Sequence, residues 1–491
     1  MSQPKPQEIP QPPLSTYSLS TILSHAATHH IYKPLLINHP SYSTSQLTLQ
    51  SFSYLHKDHL IKCFQELRDT DPTFLHSTYI SPTGGTRSNA TKHLYFFTSS
   101  AENRVQRALA ATLFSTLKTI ESSDIVINLH GALPMYRSQD LSGTLLDLCG
   151  ATELSIGVNA EDADIAQIGR AFGANAITAS SSRILQLARY VYSLRREGGE
   201  EKVGFKLKKV IFTSEPLSKA QEKFLNEALG TETVSSIYAS AEAGPWVGTI
   251  PKRIAGDENT EETPGSVAPR SFVFDRRQIV VEVIDPDENV LDSSTNPPPE
   301  GRKPSVGELV LTSLTRLKNP LVRYRTGDFG SLHSFSSLAG TEEILKDKPE
   351  ATEYLCGITM HGRDANTSFF LDSDYINTIE LDRRVFAEPE WDIVYWQVIL
   401  YYLTDEELKA ARTARASADR NVNVSKEGVE FRVVRKSDQI PPVGYEERLE
   451  RAIVNRVISE GIKLHVKVVG YDGLEKGKMA RKVIKIVDRR L

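Results

Sequence analysis

Strand and helix signals alternate along the middle of the chain, and this alternation limits the fold more tightly than any other feature. Behind a Ser99 cap with Glu102 three places on, Val105, Leu109, Leu113 and Leu117 recur every four positions, which predicts an amphipathic helix over Ser99–Ile120. The apolar run Ile125–Leu129 then reads as a buried strand. The exchange repeats with a helix over Asp162–Phe172, a strand over Ala176–Ala179 and a helix through Ile184, Leu187 and Tyr190. A strand over Lys209–Thr213, a helix over Ser218–Leu229 and a strand over Ser235–Tyr238 follow. Such alternation predicts a mostly parallel α/β domain, whose ligands bind at loops beyond the carboxyl ends of the strands.

From Ser271 to Ser334 the pattern changes to short alternating strands, interrupted by a turn-rich loop over Asp292–Ser305 that contains Asn296-Pro297-Pro298-Pro299. Past Gly362 a small α+β unit is expected: Leu449, Ile453 and Val457 mark a helix, Gly461 ends it, and Leu464, Val466 and Val468 alternate as a strand. A chain of 491 residues exceeds one ordinary core. The expected division is a Pro-, Gln- and Ser-rich tail over 1–15, a large N-terminal α/β domain with additional β-structure over 16–362, and a small C-terminal α+β domain over 363–491.

With 40% hydrophobic and 24% charged residues the composition is that of a soluble globular protein, and no stretch approaches the roughly 18 apolar residues of a membrane span. No membrane partner is expected. A net charge of −4 gives no field that points to nucleic acid. Cys63, Cys149 and Cys356 are scattered, without a CxxC pair, so they are expected to be reduced thiols rather than a disulfide framework or a zinc finger. Neither a secretory signal at the start nor a sorting tripeptide at the end is recognisable, and the cytoplasm is the expected location.

Four stretches could carry chemistry. Ser81-Pro82-Thr83-Gly84-Gly85-Thr86-Arg87-Ser88-Asn89 packs glycines and hydroxyls densely enough to surround phosphate oxygens, although a plain surface turn has the same composition. Tyr238-Ala239-Ser240-Ala241-Glu242-Ala243-Gly244-Pro245 sets an aromatic ring four positions before a carboxylate at a strand end, either a ring-stacking and metal-holding pair or a strand cap with an exposed Glu. In Asn319–Asp328 a strand runs through Arg323-Tyr324-Arg325 into Gly327-Asp328, where Asp328 either accepts two ribose hydroxyls or caps its own turn. Lys476-Gly477-Lys478-Met479-Ala480-Arg481 is either a solvated basic face or a lysine delivered to a charged intermediate.

In this order and spacing the four stretches resemble the core motifs of the adenylate-forming (acyl-activating, AMP-binding) superfamily. Thr213-Ser214-Glu215-Pro216, Glu242-Ala243-Gly244-Pro245 and Asp488-Arg489-Arg490 are similar to its phenylacetate–CoA ligase branch, and the resemblance runs from about Tyr79 to Leu491. It implies that ATP activates a small-molecule carboxylic acid as an acyl-adenylate, with Mg²⁺ present, and that a mobile C-terminal domain turns about a hinge so that a thiol, CoA foremost, takes the acyl group. The same first step also serves enzymes that pass the acyl group to an amine, a hydroxyl or a carrier protein, and a non-catalytic nucleotide-binding homologue is the reading of another class.

By position, the resemblance gives Thr83, Gly84, Gly85 and Thr86 to the phosphate loop and Ser214, Glu215 and Pro216 to the border of the adenine pocket. It sets Tyr238 against the adenine, Glu242 on Mg²⁺, Asp328 on the ribose, Arg363 at the hinge and Lys478 between carboxylate and α-phosphate. The chain departs from the family pattern at Arg87–Ala90, where a later Gly and a Pro are usual, and at Asp364–Asp372, where a Gly is lost. Some relatives carry a zinc site after the Glu-x-Gly-Pro stretch, but Trp246–Phe274 holds neither Cys nor His, so no zinc is expected. His130, Gly131, Tyr136 and Trp246 are the candidates for lining the acid pocket, with ordinary packing as the competing reading, and would suit an aryl or medium-sized apolar acid.

Overall fold

The structure, a computed structural model, describes residues 16–490 apart from 30, 38–46, 72, 83–94, 134, 199–202, 255–269, 363–367, 372–373, 387, 417–423, 455–457, 459–461 and 478–481. Its centre is one thirteen-stranded sheet. Thr152–Ser155, Ile125–Asn128, Ala176–Ser180, Lys209–Thr213 and Thr233–Ser240 lie side by side in that order, each parallel to its neighbour. Ala176–Ser180 is buried at every position, as a strand covered on both faces must be.

The intervening helices start and stop where local chemistry dictates. Ser99 and Glu102 form a reciprocal cap on Ser100–Thr116, and Ser218 and Gln221 do the same on Lys219–Leu229. Gly173 and Gly230, at φ 64° and 71°, end Asp162–Phe172 and Lys219–Leu229 in the left-handed conformation that costs glycine nothing. The first helix stops short of the expected Ile120: Leu117 caps it, Lys118 turns to φ 57°, and the Thr119 amide returns to the Phe114 carbonyl.

Beyond Thr233–Ser240 the sheet becomes antiparallel through Gly244–Gly248, Arg270–Asp275, Leu355–Gly362, Tyr324–Ser334, Gly307–Ser313, Ile279–Ile284 and Val290–Ser293. The loop expected over Asp292–Ser305 therefore begins inside an edge strand and continues as turns and irregular chain. A separate four-stranded sheet follows, in the order Lys463–Val468, Glu427–Arg435, Ile393–Tyr402, Ile486–Asp488. The helix expected through Leu449 and Ile453 spans Tyr445–Val454; Val457 and Gly461 lie outside the described residues. Among the described residues no helix is long and apolar enough to cross a membrane.

The two sheets share buried apolar contact. Val394, Tyr395, Val434, Tyr471, Leu474 and Val483 of the C-terminal unit pack in one cluster with Leu217, Phe224 and Leu225 of the large unit. Lys482 of the C-terminal unit also reaches Ser214, just beyond the carboxyl end of Lys209–Thr213.

Candidate active site

The strand ends supply the first side chains. Lys209–Thr213 runs straight into Ser214, whose φ of 80° is strained for a residue with a Cβ and turns the chain sharply towards the Ser218 cap. Within that turn the Glu215 carbonyl accepts a hydrogen bond from Ser181 Oγ at 2.5 Å, while Pro216 is exposed. Glu215 Oε2 is shut from solvent and has no hydrogen-bond partner among the described residues. Burial raises the pKa of this carboxyl, and the charges of Lys482 and Lys485 oppose the shift.

Tyr238, near the end of Thr233–Ser240, donates its hydroxyl to Asp328 Oδ2 at 2.5 Å. Its ring meets Trp246 edge-on, with centroids 6.0 Å apart. Asp328 sits just after Gly327, at φ 73°, and its amide donates to Thr326 Oγ1 at 3.0 Å. The pair is thus an aromatic face and a carboxylate held together from strands 90 residues apart. Trp246 is 1% exposed and packs on Phe274 as well, so it lies beneath the Tyr238 ring as core.

Glu242 lies in the turn that joins Thr233–Ser240 to Gly244–Gly248, with Oε1 3.4 Å from the Tyr324 hydroxyl. Three groups fix that turn: Arg316 donates to the Glu242 carbonyl, Gln106 Nε2 to the Ala243 carbonyl at 2.7 Å, and the Ala243 amide to Ser240 Oγ at 3.0 Å. Arg316 is 1% exposed; burial pulls its guanidinium down to about 10 against the opposing influence of Tyr32, Glu102 and Glu242. Arg316, Gln106, Asn103, Arg107, Tyr79 and Ser81 line a cavity of about 70 Å³ that also reaches Ser240 and Ala241. Among the described residues no three His, Cys, Asp or Glu side chains cluster as a metal site.

On the other side of the parallel strands His130 follows Ile125–Asn128. Its amide donates to Asn128 Oδ1 at 3.1 Å and its Nε2 lies 3.1 Å from Thr178 Oγ1. Burial, helped by the nearby Lys482 charge, lowers its pKa to about 3, which keeps the ring neutral. Gly131 is buried and exchanges hydrogen bonds with Ser138 Oγ, while Tyr136 is half-buried on a two-residue strand paired with Ala132–Leu133.

Thr83, Gly84, Gly85, Thr86, Arg363 and Lys478 lie outside the described residues. Their flanks are placed. Thr78–Pro82 and Tyr95–Ser99 pair antiparallel on either side of residues 83–94. Around Lys478, the Gly477 amide donates to the Lys482 carbonyl at 2.8 Å and Lys476 bridges Val483. Lys482 Nζ donates to Ser214 Oγ, which brings the end of this segment onto the turn at the end of Lys209–Thr213. Sequence reasoning missed Arg316, Gln106, Tyr324 and Lys482. Arg316 and Gln106 belong to no local motif, Tyr324 lies inside the Asn319–Asp328 stretch but was given no role there, and Lys482 adjoins a motif but contacts a residue 268 positions away.

No protein-family model matches the chain, and no curated sequence matches it. Its backbone is similar to 2-hydroxyisobutyryl-CoA ligase in the postadenylation state in complex with 2-HIB-AMP, with a TM-score of 0.61 at 15% identity, covering 96% of this chain and 88% of that one. The same ligase in complex with 2-HIB-AMP and CoA in the thioesterification state gives a TM-score of 0.51 at 17% identity, with the same coverage. The chain therefore shares its fold with 2-hydroxyisobutyryl-CoA ligase.

Proposed function

We propose that this chain is an AMP-forming acid–thiol ligase, which activates a carboxylic acid with ATP and passes the acyl group to CoA. The observation that carries the reading is the Tyr238–Asp328 pair beside the Ser214–Pro216 turn, with the end of the Lys478 segment lying on that turn. A flat face, a carboxylate with lone pairs for two hydroxyls and a narrow turn are what an adenosine needs. In this reading Ser214, Glu215 and Pro216 border the adenine, Tyr238 lies against it and Asp328 takes the ribose hydroxyls. Thr83, Gly84, Gly85 and Thr86 take the phosphates. The buried Trp246 acts through the Tyr238 ring it supports, and His130, Gly131 and Tyr136 face the acid; a histidine kept neutral leaves the acid carboxylate free of a competing cation.

An acid carboxylate oxygen attacks the α-phosphorus, the bond from that phosphorus to the bridging oxygen breaks, and pyrophosphate leaves. Two anions must approach each other, so cations have to offset the repulsion. Lys478 supplies one on the reacting oxygens. Glu242 would hold Mg²⁺, which would supply positive charge to offset the triphosphate; a single protein carboxylate is a usual complement for that ion in phosphate-binding sites. A thiolate then attacks the acyl carbon and AMP departs. Residues 16–362 form the large domain and 363–491 the lid, with Arg363 at the hinge, and the enzyme works in the cytoplasm on small molecules.

The test is ATP consumption and pyrophosphate release with a panel of aryl, aliphatic and amino acids, with and without CoA. Acid-dependent AMP with an acyl-CoA product is expected. An adenylate that persists despite CoA moves the acceptor to an amine, hydroxyl or carrier protein, and no acid-dependent turnover overturns the reading.

A further inference from the structure

The segment from Glu475 to Lys485 is fixed at both of its described ends. At the base, one buried side chain does three jobs: Gln397 Nε2 donates to the Glu475 carbonyl at 2.9 Å and to the Ile484 carbonyl at 2.7 Å, and Gln397 Oε1 accepts from the Glu475 amide at 3.0 Å. Nearer the tip the Gly477 amide closes on the Lys482 carbonyl. Those contacts are internal to the C-terminal unit and travel with it. Lys482 differs, because its ammonium reaches across to Ser214 Oγ on the large unit and its charge acts on Glu215 and His130 there.

The surroundings make that reach costly to lose. Glu215 brings a carboxylate oxygen closed off from water, and the cations acting on it are Lys482 and Lys485. Lys485 is already engaged within its own unit, 3.4 Å from Asp382 Oδ1 and 3.4 Å above the Trp396 ring, which leaves Lys482 as the cation that links the two units at this point. A buried carboxylate deprived of its cation is penalised far more than an exposed one.

We propose that Lys482 is a positioning residue for adenylation: by seating on Ser214 it joins the C-terminal unit to the turn at the end of Lys209–Thr213 when the two units are closed. The inference rests on the ligase reading for Lys478, and its own footprint is a difference between the two half-reactions. Adenylation uses the closed arrangement and depends on the seat; transfer of a preformed adenylate to CoA does not.

The experiment compares wild type with Lys482→Met, Lys482→Arg and Ser214→Gly. Glycine is chosen because it removes the hydroxyl at a φ of 80° without strain. Acid-dependent pyrophosphate–ATP exchange is measured with the most active acid of the panel above, and thioester formation from the corresponding synthetic acyl-adenylate is measured separately. Amide hydrogen exchange over 214–218 and 475–484 is followed on the ligand-free protein, which gives a readout needing no substrate. Lys482→Met and Ser214→Gly are expected to slow pyrophosphate exchange by about tenfold or more and to speed amide exchange in both segments, and Lys482→Met to keep thioester formation within about twofold of wild type; Lys482→Arg restores most of the loss. Unchanged pyrophosphate exchange in Lys482→Met, equal losses in both half-reactions, or unchanged amide protection overturns the proposal while wild-type turnover leaves the ligase reading standing. Absence of exchange in wild type with every acid strikes the ligase reading instead, and amide protection then decides whether Lys482 still joins the units.

Discussion

Asp328 and Tyr238 concentrate the nucleotide reading in two side chains, and Asp328 is only 5% exposed. Replacing it with Ala removes a charged acceptor for ribose hydroxyls and leaves the Tyr238 hydroxyl without that partner. Loss of one charge-assisted hydrogen bond costs about 2 kcal/mol, so Asp328→Ala should weaken ATP binding about thirtyfold by calorimetry, and unchanged affinity would remove Asp328 from the site. His130 makes a different statement at the same scale. Its folded pKa lies near 3, below the ordinary value of 6.5, so its contribution to stability is complete above about pH 6.5 and is lost as pH falls towards 3. One proton sets the limit of that slope at about 1.4 kcal/mol per pH unit. His130→Asn should flatten the urea-unfolding stability curve between about pH 6.5 and pH 4 relative to wild type; parallel curves would mean that the ring is not held neutral by the fold.

Helix starts and stops were legible because their chemistry is local. Ser99 with Glu102, Ser218 before its helix, and the alternation of apolar runs all lie within a few residues of what they determine. The meeting of Tyr238 with Asp328 was not legible from pattern alone, because it needs the strand order of a sheet that carries Leu355–Gly362 between Tyr324–Ser334 and Arg270–Asp275. Motif resemblance had named both residues; Arg316, buried and without a motif, escaped both routes. Glu102 shows why local reading underestimates an element. Besides accepting the Ser99 amide at 3.0 Å, its other oxygen accepts the Leu317 amide at 2.6 Å and the Lys318 amide at 3.3 Å, so a helix cap also holds the turn that carries Arg316. Glu102→Ala should therefore cost more than an ordinary cap, about 3 kcal/mol in urea unfolding, with Glu102→Gln losing less because it keeps an acceptor. A loss under about 1 kcal/mol for Ala would mean that the turn stands without it.

At the scale of the molecule, the proposed closure and opening would compete through one interface. Apolar residues of the C-terminal unit, Val394, Tyr395, Tyr471, Leu474 and Val483 among them, are buried in the same cluster as Leu217 and Phe224, and any swing of that unit must return them to water or to another surface. Directional contacts set the angle. Arg189 Nε donates to the Arg435 carbonyl at 2.7 Å, and its guanidinium pairs with Asp438. Gln221, 5% exposed, accepts the Ser218 amide through Oε1 at 3.0 Å and donates through Nε2 to the Val394 carbonyl at 2.9 Å, so one amide both caps a helix and docks the second unit. Gln221→Glu separates those two roles. The carboxylate keeps the capping oxygen but replaces the donor with an acceptor facing the Val394 carbonyl, a repulsive contact on the closed side only. Removing that bond and adding the repulsion should shift closure by about 1.5 kcal/mol, close to tenfold in the equilibrium. Single-turnover adenylation should slow by about that factor, transfer from preformed adenylate to CoA should hold or quicken, and small-angle scattering should report a larger radius of gyration. Equal slowing of both steps with an unchanged radius would place Gln221 in helix stability rather than in the balance between closed and open forms.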